Sequence, residues 1–340
     1  MKIPAHLKTM GIVLMTAGLV ACGGSGGGSG GGGSSVAAVG QITGFGSVFV
    51  NGIEFDTSST SFDVDDRPGT QDDLEIGMVV RVYGSRNDDG VTGRADRIVY
   101  DDDLEGPIEA ITTSYMGDSN LTLITVLGKE VLVSRSKTRF DKDNPAYTFD
   151  TMALGDVVEV SGYFDGNGVL HATHLEKSGV HDSTRPGDTH AEIEGVVSGL
   201  TAGQFMLGTI TVSYDANTDM SDLAKHGKTL EDGLQVEVEG RMTGANSIYA
   251  TEIDVEDSLD AEDGEASVEG IVSNFTGIGD FMVNGVPVDA TNAKFEPAAL
   301  SGTLANDMWV EVEGPIVDGV LQAREVEAED DDEESGPSGV

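Results

Sequence analysis

The chain has 340 residues, with 19 Lys and Arg against 60 Asp and Glu, a formal net charge of −41. A field of that sign repels nucleic acid and anionic lipid headgroups, whose recognition depends on Lys and Arg releasing counterions. A single cysteine among 340 residues excludes a disulfide framework, and the 38% hydrophobic content, gathered in short runs, fits several small cores better than one large one.

In chain order, the first segment reads as an export signal. Lys2 and Lys8 provide a positive start, and Met10 to Val20 an apolar stretch too short for a comfortable membrane span. It ends in Leu19-Val20-Ala21-Cys22, a pattern similar to the lipobox of bacterial lipoproteins. The resemblance implies removal of residues 1–21, diacylation of the Cys22 thiol and a lipid-anchored protein of the cell envelope. Gly23 after the cysteine points to the outer membrane in a Gram-negative host. Residues 23–35 are only Gly and Ser and read, with Cys22, as an anchor and flexible tether. Membrane contact is expected through the lipid alone.

From Val36 the sequence repeats four times at a pitch of about 75 residues. Each unit opens with a glycine followed by apolar residues at +2 and +5: Gly40, Gly106, Gly195 and Gly270. A hairpin follows, clearest at Asn51-Gly52 and Asn284-Gly285, because a type I′ turn needs positive φ at both central residues. Leu127-Gly128 and Leu207-Gly208 stand at the equivalent place. Next comes a strand closed by a second glycine, as in Val80-Arg-Val-Tyr-Gly84, Val158-Glu-Val-Ser-Gly162, Val236-Glu-Val-Glu-Gly240 and Val310-Glu-Val-Glu-Gly314. Alternation places the valines inside and the glutamates in water. The last strand carries Ala95, Ala172, Ala250 or Ala323 with an apolar residue at +3, an odd spacing that predicts a β-bulge. Only Ser221–His226 reads as a helical turn or two.

The expected fold is therefore all-β, four tandem small OB-like barrels, with units at 36–103, 104–179, 192–258 and 266–328. Residues 180–191 and 259–265 read as linkers and 329–340 as an acidic tail. Five short strands in about 65 residues suit a small barrel better than a seven-stranded sandwich. Through Gly40-Gln-Ile-Thr-Gly-Phe-Gly-Ser-Val-Phe-Val-Asn-Gly52 and Val79-Val-Arg-Val-Tyr-Gly84, the chain also resembles a bacterial lipoprotein family of unknown function built of such tandem domains. That resemblance implies the OB-like fold and envelope location and brings no catalytic residues.

Residues for chemistry are sparse. His171 and His174 share a strand at spacing three, and His181 and His190 flank a Pro and Gly segment; all read as surface or satisfied histidines before metal ligands. No H-E-x-x-H, P-loop or dinucleotide motif occurs, so no catalytic residue and no enzyme are expected. Weak Ca²⁺ candidates are the junction acids Asp101, Asp102, Asp103 and Glu105, and Asp257, Asp260 and Asp263, which lack the spacing of a defined calcium loop and read first as solvated linkers. Asp63, Asp65, Asp66, Asp72 and Asp73 form a further acidic loop, and Trp309 is an aromatic facing away from the paired valines. Two functions follow as expectations. One is a monomeric, non-enzymatic envelope module that binds another envelope protein or acts as a spacer, without nucleic acid or cofactor. The other is a binder of a neutral or cationic small molecule, a glycan or Ca²⁺.

Overall fold

The computed structural model describes residues 34–255, 259 and 264–329. Cys22, Asp257, Asp260 and Asp263 lie outside the described residues. Unit 1 contains β1 (Ser34–Phe45), β2 (Val48–Val50), β3 (Ile53–Asp56), β4 (Ser61–Val64), β5 (Arg67–Gly69), β6 (Val79–Arg86) and β7 (Thr92–Tyr100). Unit 2 contains β8 (Leu104–Thr113), β9 (Leu121–Val126), β10 (Lys129–Ser134), β11 (Arg139–Phe140), β12 (Asp156–Phe164) and β13 (Leu170–Val180). Unit 3 contains β14 (His190–Thr201), β15 (Gln204–Leu207), β16 (Ile210–Ser213), a short helix α1 (Ser221–Lys225), β17 (Gln235–Gly244) and β18 (Ser247–Val255). Unit 4 contains β19 (Glu265–Gly277), β20 (Asp280–Val283), β21 (Val286–Asp289), β22 (Lys294–Glu296), β23 (Trp309–Val317), β24 (Val320–Gln322) and β25 (Glu325–Ala328).

The same pairing closes each unit. In unit 1, β1 pairs with β2, β2 with β3, β3 in parallel with β7, β7 with β6, and β6 returns to β1. Units 2 and 3 repeat the circuit as β8-β9-β10-β13-β12-β8 and β14-β15-β16-β18-β17-β14. Unit 4 repeats it as β19-β20-β21-β24-β23-β19. Four five-stranded OB-like barrels result, each without a free strand edge in its circuit.

The sequence landmarks acquire physical causes. Asn51, Leu127 and Asn284 have φ of 50°, 46° and 46°, each followed by a left-handed glycine, so three hairpins turn as expected. In unit 3 the turn is displaced: Leu207 pairs with Ile210, which makes Gly208 and Thr209 the central residues. The register slips by one between the second glycine and the last strand in units 1, 2 and 3, opposite Asp96, Thr173 and Thr251. In unit 4 the same place divides β24 from β25. A Cβ on Gly84, Gly162, Gly240 or Gly314 would lie 2.0, 2.1, 2.1 or 2.2 Å from a carbonyl oxygen of the bulged strand. Only glycine lets the two backbones approach so closely where the barrel bends shut.

The barrels are joined by more than linkers. β1 runs parallel to β19, with Val36 to Val39 opposite Glu265 to Val268, so one sheet continues from unit 1 into unit 4. β8 pairs with β14 at Leu104 and Glu105 opposite Ile193 and Glu192, which merges units 2 and 3. Their cores merge too: Leu104, Val160, Leu175, Ile193, Val238 and Ile253 belong to one buried cluster. Ala37 and Val39 of unit 1 pack into the core of unit 4. The two pairs then meet through side chains. Tyr163 of unit 2 meets Trp309 of unit 4 edge-on, with centroids 5.0 Å apart, and the Val79 amide of unit 1 donates to Ser161 Oγ of unit 2 at 3.0 Å. Trp309 thus packs against a neighbouring module and also donates from Nε1 to Glu269 Oε1 at 3.1 Å.

Candidate functional site: an acidic seam between the barrels

The outward side chains of the strands form the site. At the junction of units 2 and 3, six glutamates stand directly opposite one another across six adjacent strands: Glu176, Glu159, Glu105, Glu192, Glu239 and Glu252 on β13, β12, β8, β14, β17 and β18. Two residues along, unit 3 adds a second row, Glu194, Glu237 and Asp254. Directly opposed side chains in a sheet lie about 4.5–5.5 Å apart at Cβ, and like charges there destabilise the pair.

Unit 1 lies against this face. Its β4 to β5 turn brings Asp65 and Asp66, and the end of β7 with the segment after it brings Tyr100 to Asp103. Asp102 and Glu105 are 5% and 7% exposed, and Glu192 is 5% exposed. These glutamates were expected in water because the strands alternate, and the alternation holds; the outer face is covered by a neighbouring unit instead of solvent. Burial pushes Glu159, Glu176, Glu239 and Asp254 up to about 7, with Glu105, Asp141, Asp66 and Glu252 respectively as the chief neighbouring carboxylates adding to the shift. Burial pushes Asp65 up to about 6, and drives Asp102 and Glu192 well above the usual carboxylate range. Both causes act on the ionised form, which desolvation and like charge each disfavour.

The four junction acids of the sequence reading are brought to the seam, but each takes its own partner. Arg81 Nη2 donates to Asp101 Oδ2 at 2.5 Å, Tyr100 Oη to Asp102 Oδ1 at 2.6 Å, and the Gly162 amide to Asp103 Oδ2 at 2.7 Å. Glu105 accepts from Ser178 Oγ at 3.0 Å and lies 2.5 Å from His190 Nδ1. His190 therefore bridges units 2 and 3 at the start of β14, and the Glu105 hydrogen bond, outweighing burial, raises its pKa. The bulge at Thr173 turns His171 and His174 both outward, yet they approach different acids, Asp165 at 3.3 Å and Glu75 at 3.4 Å.

Two places gather three carboxylates whose oxygens all lie within 4.8 Å of one another: Glu75, Asp141 and Asp143 between units 1 and 2, and Asp66, Glu252 and Asp254 between units 1 and 3. The first opens into a cleft of about 450 Å³ lined by Asp65, Glu75, Asp141, Lys142, Glu159 and Glu176. There Lys142 Nζ sits 2.6 Å from Glu75 Oε1 and 3.3 Å from Asp143 Oδ2, so an ammonium of the chain itself compensates the charge. Burial raises the Glu75 carboxyl, but the bonds from Lys142 outweigh it and hold the group below its ordinary value. Among the described residues, no lysine or arginine forms an ion pair with Asp66, Glu252 or Asp254.

The family model described as a domain of unknown function (DUF5666) matches residues 36–99, 105–176, 194–254 and 269–327. The chain belongs to the DUF5666 family. Each DUF5666 match falls on one barrel, so the repeat in sequence and the repeat in structure are the same unit. No curated protein matches the chain. Among solved structures, a chain titled "drosophila Unr CSD456" is similar at 13% identity, over 62% of this chain and 84% of that one, with a TM-score of 0.18. The acids of the seam fall within the DUF5666 matches except Asp101–Asp103 and Glu192, which lie in the segments between them.

Sequence reasoning placed Asp65, Asp66 and Asp101 to Glu105 among its candidates and missed Glu159, Glu176, Glu192, Glu239, Glu252 and Asp254. A signal was present in the recurrent Val-Glu-Val-Glu pattern of a chain with three acids per base. Nineteen cations cannot compensate sixty acids pairwise, so a glutamate row covered by another unit could not be paired with Lys or Arg throughout.

Proposed function

We propose that the protein is a membrane-anchored, non-enzymatic modular lipoprotein of the cell envelope, acting as a spacer or as a binding module for another envelope protein. The reading combines the lipobox at Cys22, the Gly and Ser tether and a body of four barrels linked by strand pairing at β1 with β19 and β8 with β14. The strand pairing is the observation that carries it: a body stiffened by continuous sheets holds a partner at a fixed place, whereas four swinging beads would lose that advantage to conformational entropy. No helix among the described residues is long and apolar enough to cross a membrane, and attachment in this reading rests on lipid. Three acyl chains at about 0.8 kcal/mol per buried CH₂ suffice.

The test is paired. Replacing Cys22→Ser should move the protein out of the membrane fraction, and crosslinking in intact cells should recover a defined envelope partner with the wild type. Retention of the Cys22→Ser variant in the membrane overturns the anchor, and an empty crosslinking profile overturns the partner. A second reading, cation binding, is favoured by one observation, the uncompensated carboxylates where units 1 and 3 meet.

A further inference from the structure

We propose that Glu269 works as a proton-operated latch between units 1 and 4: as a neutral acid it donates from Oε2 to Asn51 Oδ1, and loss of that proton sets two acceptors against each other and loosens β1 from β19. The contact lies apart from the acidic seam and depends on neither the lipid anchor nor a protein partner.

Asn51 is the clasp at the end of the joint. The parallel pairing of β1 with β19 runs from Val36 opposite Glu265 to Val39 opposite Val268. Just there the turn between β2 and β3 brings in the Asn51 amide, whose Nδ2 donates to Val39 O at 3.0 Å, Ser267 O at 3.1 Å and Ser267 Oγ at 2.7 Å. One side chain of unit 1 thus ties its own first strand to the first strand of unit 4. The two backbone carbonyls accept only from an N–H, so they fix the orientation of the amide and turn Oδ1 away from them. That Oδ1 is buried and no donor reaches it. A buried acceptor left in this way costs about 1–3 kcal/mol, and native structures seldom leave one unfilled.

Glu269 can supply the missing donor. A Cβ on Gly40 would lie 1.8 Å from Asn51 Oδ1 and 3.1 Å from Glu269 Oε2, so the two oxygens border the same hollow left by glycine. Glu269 is buried, and its Oε1 accepts from Trp309 Nε1 at 3.1 Å and Gln41 Nε2 at 3.4 Å, which leaves Oε2 to carry a proton. The other titratable groups facing it bring no positive charge: Glu311 from β23, Glu329 after β25 and Tyr163 from β12. Among the described residues, no lysine or arginine forms an ion pair with Glu269. Burial pushes its carboxyl from 4.5 up to about 7, with the Trp309 bond opposing and Glu329 adding to the rise. Burial also drives Tyr163 well above its ordinary value, so the phenol stays neutral throughout. Because the folded value of Glu269 is the higher one, the contribution of the latch is complete below about 4.5 and is lost as pH rises through about 7.

Trp309 is the only tryptophan of the chain, and its bond to Glu269 makes its indole N–H a reporter of the latch. The experiment follows the indole resonance of the full chain by NMR from pH 5 to 9, in a Glu311→Gln background so that the neighbouring acid does not titrate. A single step near pH 7 is expected, absent from the Glu269→Gln variant, whose amide cannot ionise. No step, or the same step in Glu269→Gln, overturns the latch. Asn51→Ala removes the acceptor that favours the neutral acid, so the step should move down by about 0.5–1 pH unit while Trp309 emission keeps its wavelength. A step that stays in place, or moves only together with a red-shifted emission, overturns the contact with Asn51. Hydrogen exchange reads the joint itself. Corrected for the intrinsic rate, protection of residues 36–39 should fall about tenfold between pH 6 and pH 8.5 and hold in Glu269→Gln. Protection that does not change with pH, or that falls equally in Glu269→Gln, overturns the claim that the proton holds the two units together.

Discussion

Glu311 shows how this chain treats a charge it cannot pair. It lies on β23 between Glu269 on β19 and Glu327 on β25, the counterpart in unit 4 of the row at Glu105, Glu159 and Glu176. Ser267 Oγ donates to its Oε1 at 2.6 Å, but burial dominates and, with Glu313 and Glu269 nearby, pushes the carboxyl from 4.5 up to about 8. A folded value above the unfolded one means that the folded state holds the proton longer. Stability is therefore fully present below about 4.5 and is lost as pH rises towards about 8. Glu311→Gln, which mimics the protonated acid, should gain stability over wild type at pH 8 and match it near pH 4.5. Urea midpoints at the two pH values in EGTA check this, and curves that stay parallel contradict it. Unit 1 answers the same demand differently: Arg81 occupies the position of Glu159, Glu237 and Glu311 and pairs with Asp101 at 2.5 Å. None of this was visible from alternation, which tells inside from outside within one strand and says nothing about what later covers the outside.

At the scale of elements, the barrel was legible because its constraints are local. Asn51-Gly52 and Asn284-Gly285 specify turns through φ, and the odd spacing from Ala172 to Leu175 specifies a bulge because a regular strand cannot place both inside. Gly162 stands at that bulge, where a Cβ would sit 2.1 Å from His171 O. Gly162→Ala should cost about 1–3 kcal/mol by forcing the strands apart. Gly302→Ala, at a place with nothing within 4 Å and no positive φ, should stay within about 0.5 kcal/mol. Chemical denaturation compares them, and equal effects would contradict the role given to the close approach. The displaced turn at Gly208 and Thr209 escaped the sequence because Leu207-Gly208 imitates Leu127-Gly128 in letters, while the pairing of Leu207 with Ile210 moves the turn one residue on.

For the whole molecule, the packing of the units was hidden from the sequence. Pairing of β1 with β19 joins segments more than two hundred residues apart, and nothing in either strand names the other. Residues Asp101 to Glu105 read as a solvated linker because runs of acid usually are. They are instead the segment through which unit 1 passes into unit 2, close against unit 3, with Asp102 bonded to Tyr100 and Glu105 to Ser178 and His190. The described residues belong to one compact unit. Small-angle scattering of the full chain in calcium-containing buffer tests that claim most directly. A packed body of about 300 residues has a radius of gyration of about 19–20 Å. A profile of that size is the expected result; an extended profile with a radius far above it, as four separate barrels on linkers would give, contradicts the account.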